Sequence, residues 1–208
     1  MNKKGFIARA AVGAIGGALL LGGAGAALAD EVDDQDVDVA VSIEAVEPVG
    51  ALTLSVDPGS ATLEEVESED AEIRQFDGVL PTVTVADDRE EVPANVFWYV
   101  TGQASDLTAA GGLSIPAGHL GWTPALLTEG DGAVAEGDQV DTVLDEGPNN
   151  VGLVGEELLA LSLDSGEAAV TGTWQANANL FLKTPANVAP GDYSGTITLT
   201  LWEDAYTG

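Results

Sequence analysis

Hydrophobic and polar residues alternate one by one in several short stretches of this chain. Val37, Val39, Val41 and Ile43 alternate with Asp38, Ala40 and Ser42, and Leu52, Leu54 and Val56 alternate with Thr53 and Ser55. Period two puts every second side chain on one face, which predicts half-buried strands. Asp57-Pro58-Gly59-Ser60 closes the second run with turn residues. The same reading predicts strands around Val83–Val85, Val96–Thr101, Leu158–Leu163, Val170–Gln175 and Asn179–Lys183. The strongest covers Tyr193–Trp202, where Ile197, Leu199 and Leu201 alternate with Thr196, Thr198 and Thr200. No long amphipathic helix is predicted. The acidic stretch from Glu64 to Glu72 reads as a loop. Residues 128–152, rich in Gly, Asp and Asn, read as a long irregular insertion, the kind of loop that carries binding function on a rigid scaffold. Many short strands separated by turns predict an all-β fold, a β-sandwich of Ig-like or jelly-roll-like type.

The first 29 residues break this pattern. Lys3, Lys4 and Arg9 precede an apolar run from Ala10 to Leu28, which ends in Ala27-Leu28-Ala29. A basic start, an apolar middle and small residues at the cut define a secretory signal peptide. The run approaches membrane-spanning length, but its six glycines between Gly13 and Gly25 make a poor permanent helix. Cleavage after Ala29 is therefore expected, with Asp30 as the mature N-terminus. Residues 30–36 are an acidic lead expected to be disordered, and residues 37–208 form a single domain. The C-terminal Glu203–Gly208 carries neither an apolar tail nor an LPxTG-type signal, so no membrane anchor remains and covalent attachment is not expected. The expected location is secreted, extracellular or cell-wall associated.

Charge narrows the partners. The leader carries three of the six Lys and Arg and none of the 35 acidic residues; three cations against 35 carboxylates give the mature chain a formal charge of −32. Such a surface repels phosphate backbones, which excludes nucleic acid as a natural partner. Catalytic groupings are scarce. The chain has no cysteine and one histidine, His119. Gly191-Asp192-Tyr193-Ser194-Gly195 only superficially resembles a nucleophile elbow, because its serine lies in a strand pattern. No phosphate-binding glycine loop or dinucleotide fingerprint occurs. Asp34-Gln35-Asp36-Val37-Asp38 opens like a calcium loop, but the sixth position is Val39 and the twelfth Ala45. No enzyme activity, cofactor or metal centre is expected. His119 is expected to pack or cap near Trp122.

Four tryptophans, Trp98, Trp122, Trp174 and Trp202, lie in or beside predicted strands. Packing accounts for at least two. An exposed indole offers instead a flat face for a sugar ring.

The segment from Leu80 to Asp204 resembles the WxL-domain group of secreted Gram-positive surface proteins in order and spacing. Thr82–Arg89 is similar to that family's strand followed by an Asp-x-Arg-like turn. Asn95–Gln103 stands where the family has its first Trp-x-Leu strand, and Ile115–Trp122 follows. Ala189–Leu201 is similar to its closing Gly-x-Tyr strand and second Trp-x-Leu. Here the motifs read Trp98-Tyr99-Val100 and Leu199-Thr200-Leu201. The resemblance implies a cell-surface module bound non-covalently to peptidoglycan or displaying other surface proteins, with Trp98 and Trp122 as binding residues. The alternative expectation is a structural subunit of a surface assembly. It would self-associate by β-strand addition with Val37–Ile43 as the donor.

Overall fold

A computed structural model describes residues 50–129 and 132–206. The chain divides into two units, Met1–Ala45 and Val46–Gly208, and the fold described is that of the second. The leader and its cut site, the acidic lead, the Asp34–Asp38 motif and the alternating run Val37–Ile43 lie outside the described residues.

The second unit is all-β. Its first strands are β1 (Leu52–Val56), β2 (Glu64–Val66), β3 (Ile73–Val79) and β4 (Val83–Asp87). Next come β5 (Val96–Ala104), β6 (Leu107–Ala109), β7 (Leu113–Ile115), a short 3-10 turn (Ala117–His119) and β8 (Leu120–Leu126). The chain ends with β9 (Val134–Glu136), β10 (Glu157–Ser162), α1 (Ser165–Thr171), β11 (Thr173–Pro185) and β12 (Ile197–Ala205). Every strand pairing is antiparallel. No helix among the described residues is long and apolar enough to cross a membrane.

The first sheet is organised on β11, whose inward positions Trp174, Ala176, Ala178, Leu180, Leu182 and Thr184 are all buried. β3 and β4 run end to end along one side of it. Ile73–Val79 pairs with Pro185–Asn179, and Val83–Ala86 pairs with Ala176–Thr173. The register slips by one residue between them. The slip falls at Pro81, which has no N–H for the ladder, just after the Leu80 N–H donates to the Ala178 carbonyl at 2.9 Å. β1 lies outside β4, β2 lies outside β3, and β8 covers the other side of β11. The second sheet has the order β12-β5-β10-β9. β5 is its centre and pairs over its whole length with β12.

One hydrophobic core joins the two sheets. Val85, Trp122 and Leu180 of the first and Trp98, Val100 and Leu159 of the second belong to the same buried cluster. The contact is close enough to require glycine at one point. A Cβ on Gly102 of β5 would lie 2.5 Å from Cη2 of Trp122 on β8, so the indole lies against bare backbone. At one end an ion-pair clip ties the sheets together. The Arg89 guanidinium donates to Asp87 from Nε at 2.8 Å and from Nη2 at 2.6 Å, and from Nη1 to Glu203 at 3.0 Å.

The structure corrects several local expectations. Val170 belongs to α1, and the strand predicted from it begins at Thr173. Asp164 caps that helix by accepting from the N–H groups of Gly166 and Glu167, and Gly172 ends it at φ 78°. The expected strand Asn179–Lys183 is the second half of one continuous β11. The acidic loop contains β2, and residues 128–152 contain β9 and a two-way backbone bridge between Val140 and Trp122.

Candidate functional site

Between β4, β11 and β8 on one sheet and β5, β10 and β9 on the other, the core is packed except for a small internal void lined by Val83, Trp98, Leu126 and Leu159. It does not close where β1, residues 59–63 and β3 face β12. There the sheets leave a groove of about 1130 Å³. Leu54, Leu63 and Phe76 line it from the first sheet side, and Val188, Ile197 and Leu199 from the side of β12. These six are only partly buried and pack against the main core. Among the described residues nothing covers them on the groove side. The buried Thr184 hydroxyl, which also lines the groove, has no hydrogen-bond partner.

Both lips of the groove are sheet edges. Among the described residues β12 pairs with β5 alone, β1 with β4 alone and β2 with β3 alone. Each outer edge therefore presents backbone N–H and C=O groups with no strand beside them, a template for another strand. An apolar channel flanked by open edges matches what an extended chain with alternating side chains requires.

The tryptophans named from sequence do not form a binding face. Trp98 is 1% exposed and Trp122 is 0% exposed. Both indoles are consumed by packing between the sheets, and neither has a face for a ligand. The Trp122 Nε1–H is buried without a partner. Trp174 is also buried and donates to the Ala168 carbonyl. Trp202, at 38% exposed, is the tryptophan that faces outward. Strand alternation separates the two kinds: Trp98 points inward on β5, while its neighbours Phe97 and Tyr99 point outward beside Trp202. This signal was present in the sequence once the inward phase of β5 is assigned to Val96, Trp98 and Val100.

His119 is partly buried, and its Nδ1–H donates to the Lys183 carbonyl at 2.7 Å. That bond anchors the 3-10 turn to β11, a packing role different from a cap beside Trp122. All three cations of the described residues are held by carboxylates: Arg74 by Glu65, Arg89 by Asp87 and Glu203, and Lys183 by Asp145. The Arg89 guanidinium holds the Asp87 carboxyl below its usual range. Burial pushes the Asp145 carboxyl up, but bonds from Lys183 and Thr142 outweigh it and lower the carboxyl overall. Glu157 is pushed up by burial alone. The described residues therefore offer no unpaired Lys or Arg to an anionic ligand. No group of three His, Asp or Glu among the described residues is placed to hold a metal ion.

No protein-family model and no curated protein matches the chain. Among solved structures it is similar to a chain from the work titled "Chaperone-tip adhesin complex is vital for synergistic activation of CFA/I fimbriae biogenesis". The identity is 12% and the TM-score 0.38, over 72% of this chain and 41% of that chain. The present chain thus spans well under half the length of that neighbour.

Proposed function

We propose that this chain is a non-enzymatic, secreted subunit of a bacterial surface assembly, joined to a second copy by β-strand addition. The observation that carries the proposal is the apolar groove left uncovered by the described residues between the edge strands β12 and β1. The proposed occupant is the segment Val37–Ile43 of the second copy. Its four apolar side chains, Val37, Val39, Val41 and Ile43, recur every second residue. Laid along a lip of the groove, they would enter it on one face while the backbone completes the sheet edge. A seven-residue strand extends about 23 Å, against about 30 Å for the nine-residue β12. The surface location follows from the export leader and the WxL-like order of segments, and is part of the proposal.

Peptidoglycan attachment through Trp98 and Trp122 loses its contact residues, because both are core. It is not the reading the geometry favours.

Light scattering during size exclusion tests the assembly. The chain beginning at Asp30 should form oligomers that grow with concentration. Val41→Asp should leave a folded monomer whose circular dichroism matches the parent's and whose melting temperature no longer rises with concentration. Burying one valine is worth about 2 kcal/mol, so this single change should weaken association at least about 30-fold. A wild-type chain that stays monomeric up to millimolar concentration rejects the proposal.

A further inference from the structure

The outward face of the second sheet carries a second feature, independent of the groove. Four aromatic rings form a row there. Tyr99 stacks on Trp202, directly opposite it across the β5–β12 ladder, with centroids 6.3 Å apart and planes 20° from parallel. Phe97 stacks on Tyr99 at 6.0 Å and 18°, and Tyr206 lies over Phe97 at 4.7 Å. The polar tips at both ends of the row are fixed by the protein itself. The Trp202 Nε1–H donates to the Thr101 hydroxyl at 3.0 Å, and the Tyr206 hydroxyl donates to the Leu163 carbonyl at 3.1 Å. Trp202 is 38% and Tyr206 52% exposed. Their rings are thus oriented in advance while part of each remains in water.

Cross-strand aromatic pairs stabilise sheets, so part of the row helps hold the edge strand β12 to β5. That role does not require rings at both ends to stay so exposed, and the surroundings specify what could lie on them. Thr198, Thr200 and Asp204 share the outward phase of β12 with Trp202, adding hydroxyl groups and a carboxylate beside the apolar faces. The one cation on β12's flank, Arg89, is bound by Asp87 and by Glu203, which lies in the inward phase of β12 opposite Trp98, and the other two Lys and Arg of the described residues are paired with Glu65 and Asp145, so none is free to receive a phosphate or sulfate. The chain's formal charge of −29 opposes nucleic acid and anionic lipid, although bases would also stack on such rings. Because the inner rings stack on one another, the exposed parts of the two end rings, Trp202 and Tyr206, are what a ligand would meet, and such pre-oriented aromatic surface bordered by neutral and acidic polar groups suits an uncharged, hydroxyl-rich ring.

We infer that the row Tyr206–Phe97–Tyr99–Trp202 is a binding site for the pyranose rings of a neutral polysaccharide. It lies on the outer face of the second sheet, whereas the strand groove opens between the sheets. The two sites can therefore be occupied together, and loss of one leaves the other.

The test uses the intact mature chain and a panel of neutral hexasaccharides: β-1,4-linked N-acetylglucosamine, cellohexaose and maltohexaose. Binding is followed by calorimetry and tryptophan fluorescence. At least one hexamer should bind and shift the Trp202 emission. Trp202→Ala and Tyr206→Ala should each weaken that binding at least tenfold. Trp202→Phe, which keeps a ring against β5, should retain more affinity than Trp202→Ala with a melting temperature near that of the parent. Tyr206 follows β12, so its variant reports on the site even if Trp202→Ala loosens the edge. Val41→Asp should bind the hexamer as the parent does. The inference is overturned if no hexamer binds, if binding survives both alanine variants, or if the row captures a protein partner while ignoring every saccharide.

Discussion

Gly102 shows how one residue sets the spacing of the sheets. Its missing side chain lets the Trp122 indole lie directly on β5, where a Cβ would approach ring carbons at 2.5 and 2.8 Å. Gly102→Ala should cost about 1–3 kcal/mol, as overpacked cores do, and thermal melting measures it. Trp98→Ala should cost more, about 3–5 kcal/mol, because it empties the same interior. The carboxylates act at this scale through pH. Asp87 and Asp145 are lowered in the folded chain, so their stabilisation is present above the ordinary carboxylate range of about 4. It disappears as pH falls through their lowered values. Glu157 is raised and works in the opposite direction, gaining favour on protonation. Melting temperature should therefore fall as pH drops below about 4, with protonation of Glu157 opposing part of that fall. Asp145→Asn should make that fall shallower. An unchanged acid limb in the variant would remove Asp145 from the account.

The helix α1 illustrates element formation by its ends. Seven residues are too few to be stable alone, so the cap from Asp164 and the left-handed Gly172 must fix both termini. The buried Ala168 then ties the helix to the core, and its carbonyl accepts from Trp174. Asp164→Ala should cost about 1 kcal/mol, measured by denaturant unfolding. This helix was legible: Asp164-Ser165-Gly166-Glu167 is an N-terminal signature and Gly172 a stop. The β-propensity of Val170 and Thr171 favours strand, and the two helix ends override it. Strands β1, β5 and β12 were legible because large apolar residues mark their inward phase, and β10 because of its run of leucines, although a bulge at Leu159 breaks its alternation and buries Ala160 and Ser162. β3 was hidden because Gln75, Asp77 and Gly78 dilute its pattern. The middle of β11 was hidden because its inward residues there are only Ala176 and Ala178. β8 was hidden because Gly121 and Pro124 read as breakers, although this strand carries the most buried tryptophan.

At the scale of the whole molecule, the groove could not be read from the sequence at all. Its lining residues come from β1, β3, the segment after β11 and β12, and each looks like an ordinary core position within its own strand. Only the pairing order reveals that β1, β2 and β12 are edges with apolar residues between them. The donor pattern at Val37–Ile43 was legible, whereas the acceptor needed the structure. The same holds for the tryptophans. Composition identified them as chemically interesting, but only the phase of each strand separates Trp98 and Trp122 in the interior from Trp202 on the surface.

The account rests on the groove receiving Val37–Ile43 from another copy, and the absence of native cysteine offers a direct measurement. Val41→Cys and Leu199→Cys are prepared as separate mature chains, mixed, and oxidised under native conditions. Disulfides form only when the Cα atoms come within about 4.4–6.8 Å. The account predicts a covalent dimer containing one of each chain, abolished when the mixture is denatured before oxidation. A chain carrying both substitutions should give a ladder of covalent oligomers. Absence of the mixed dimer, or closure of the double variant only within its own chain as a covalent monomer, would contradict assembly by strand addition.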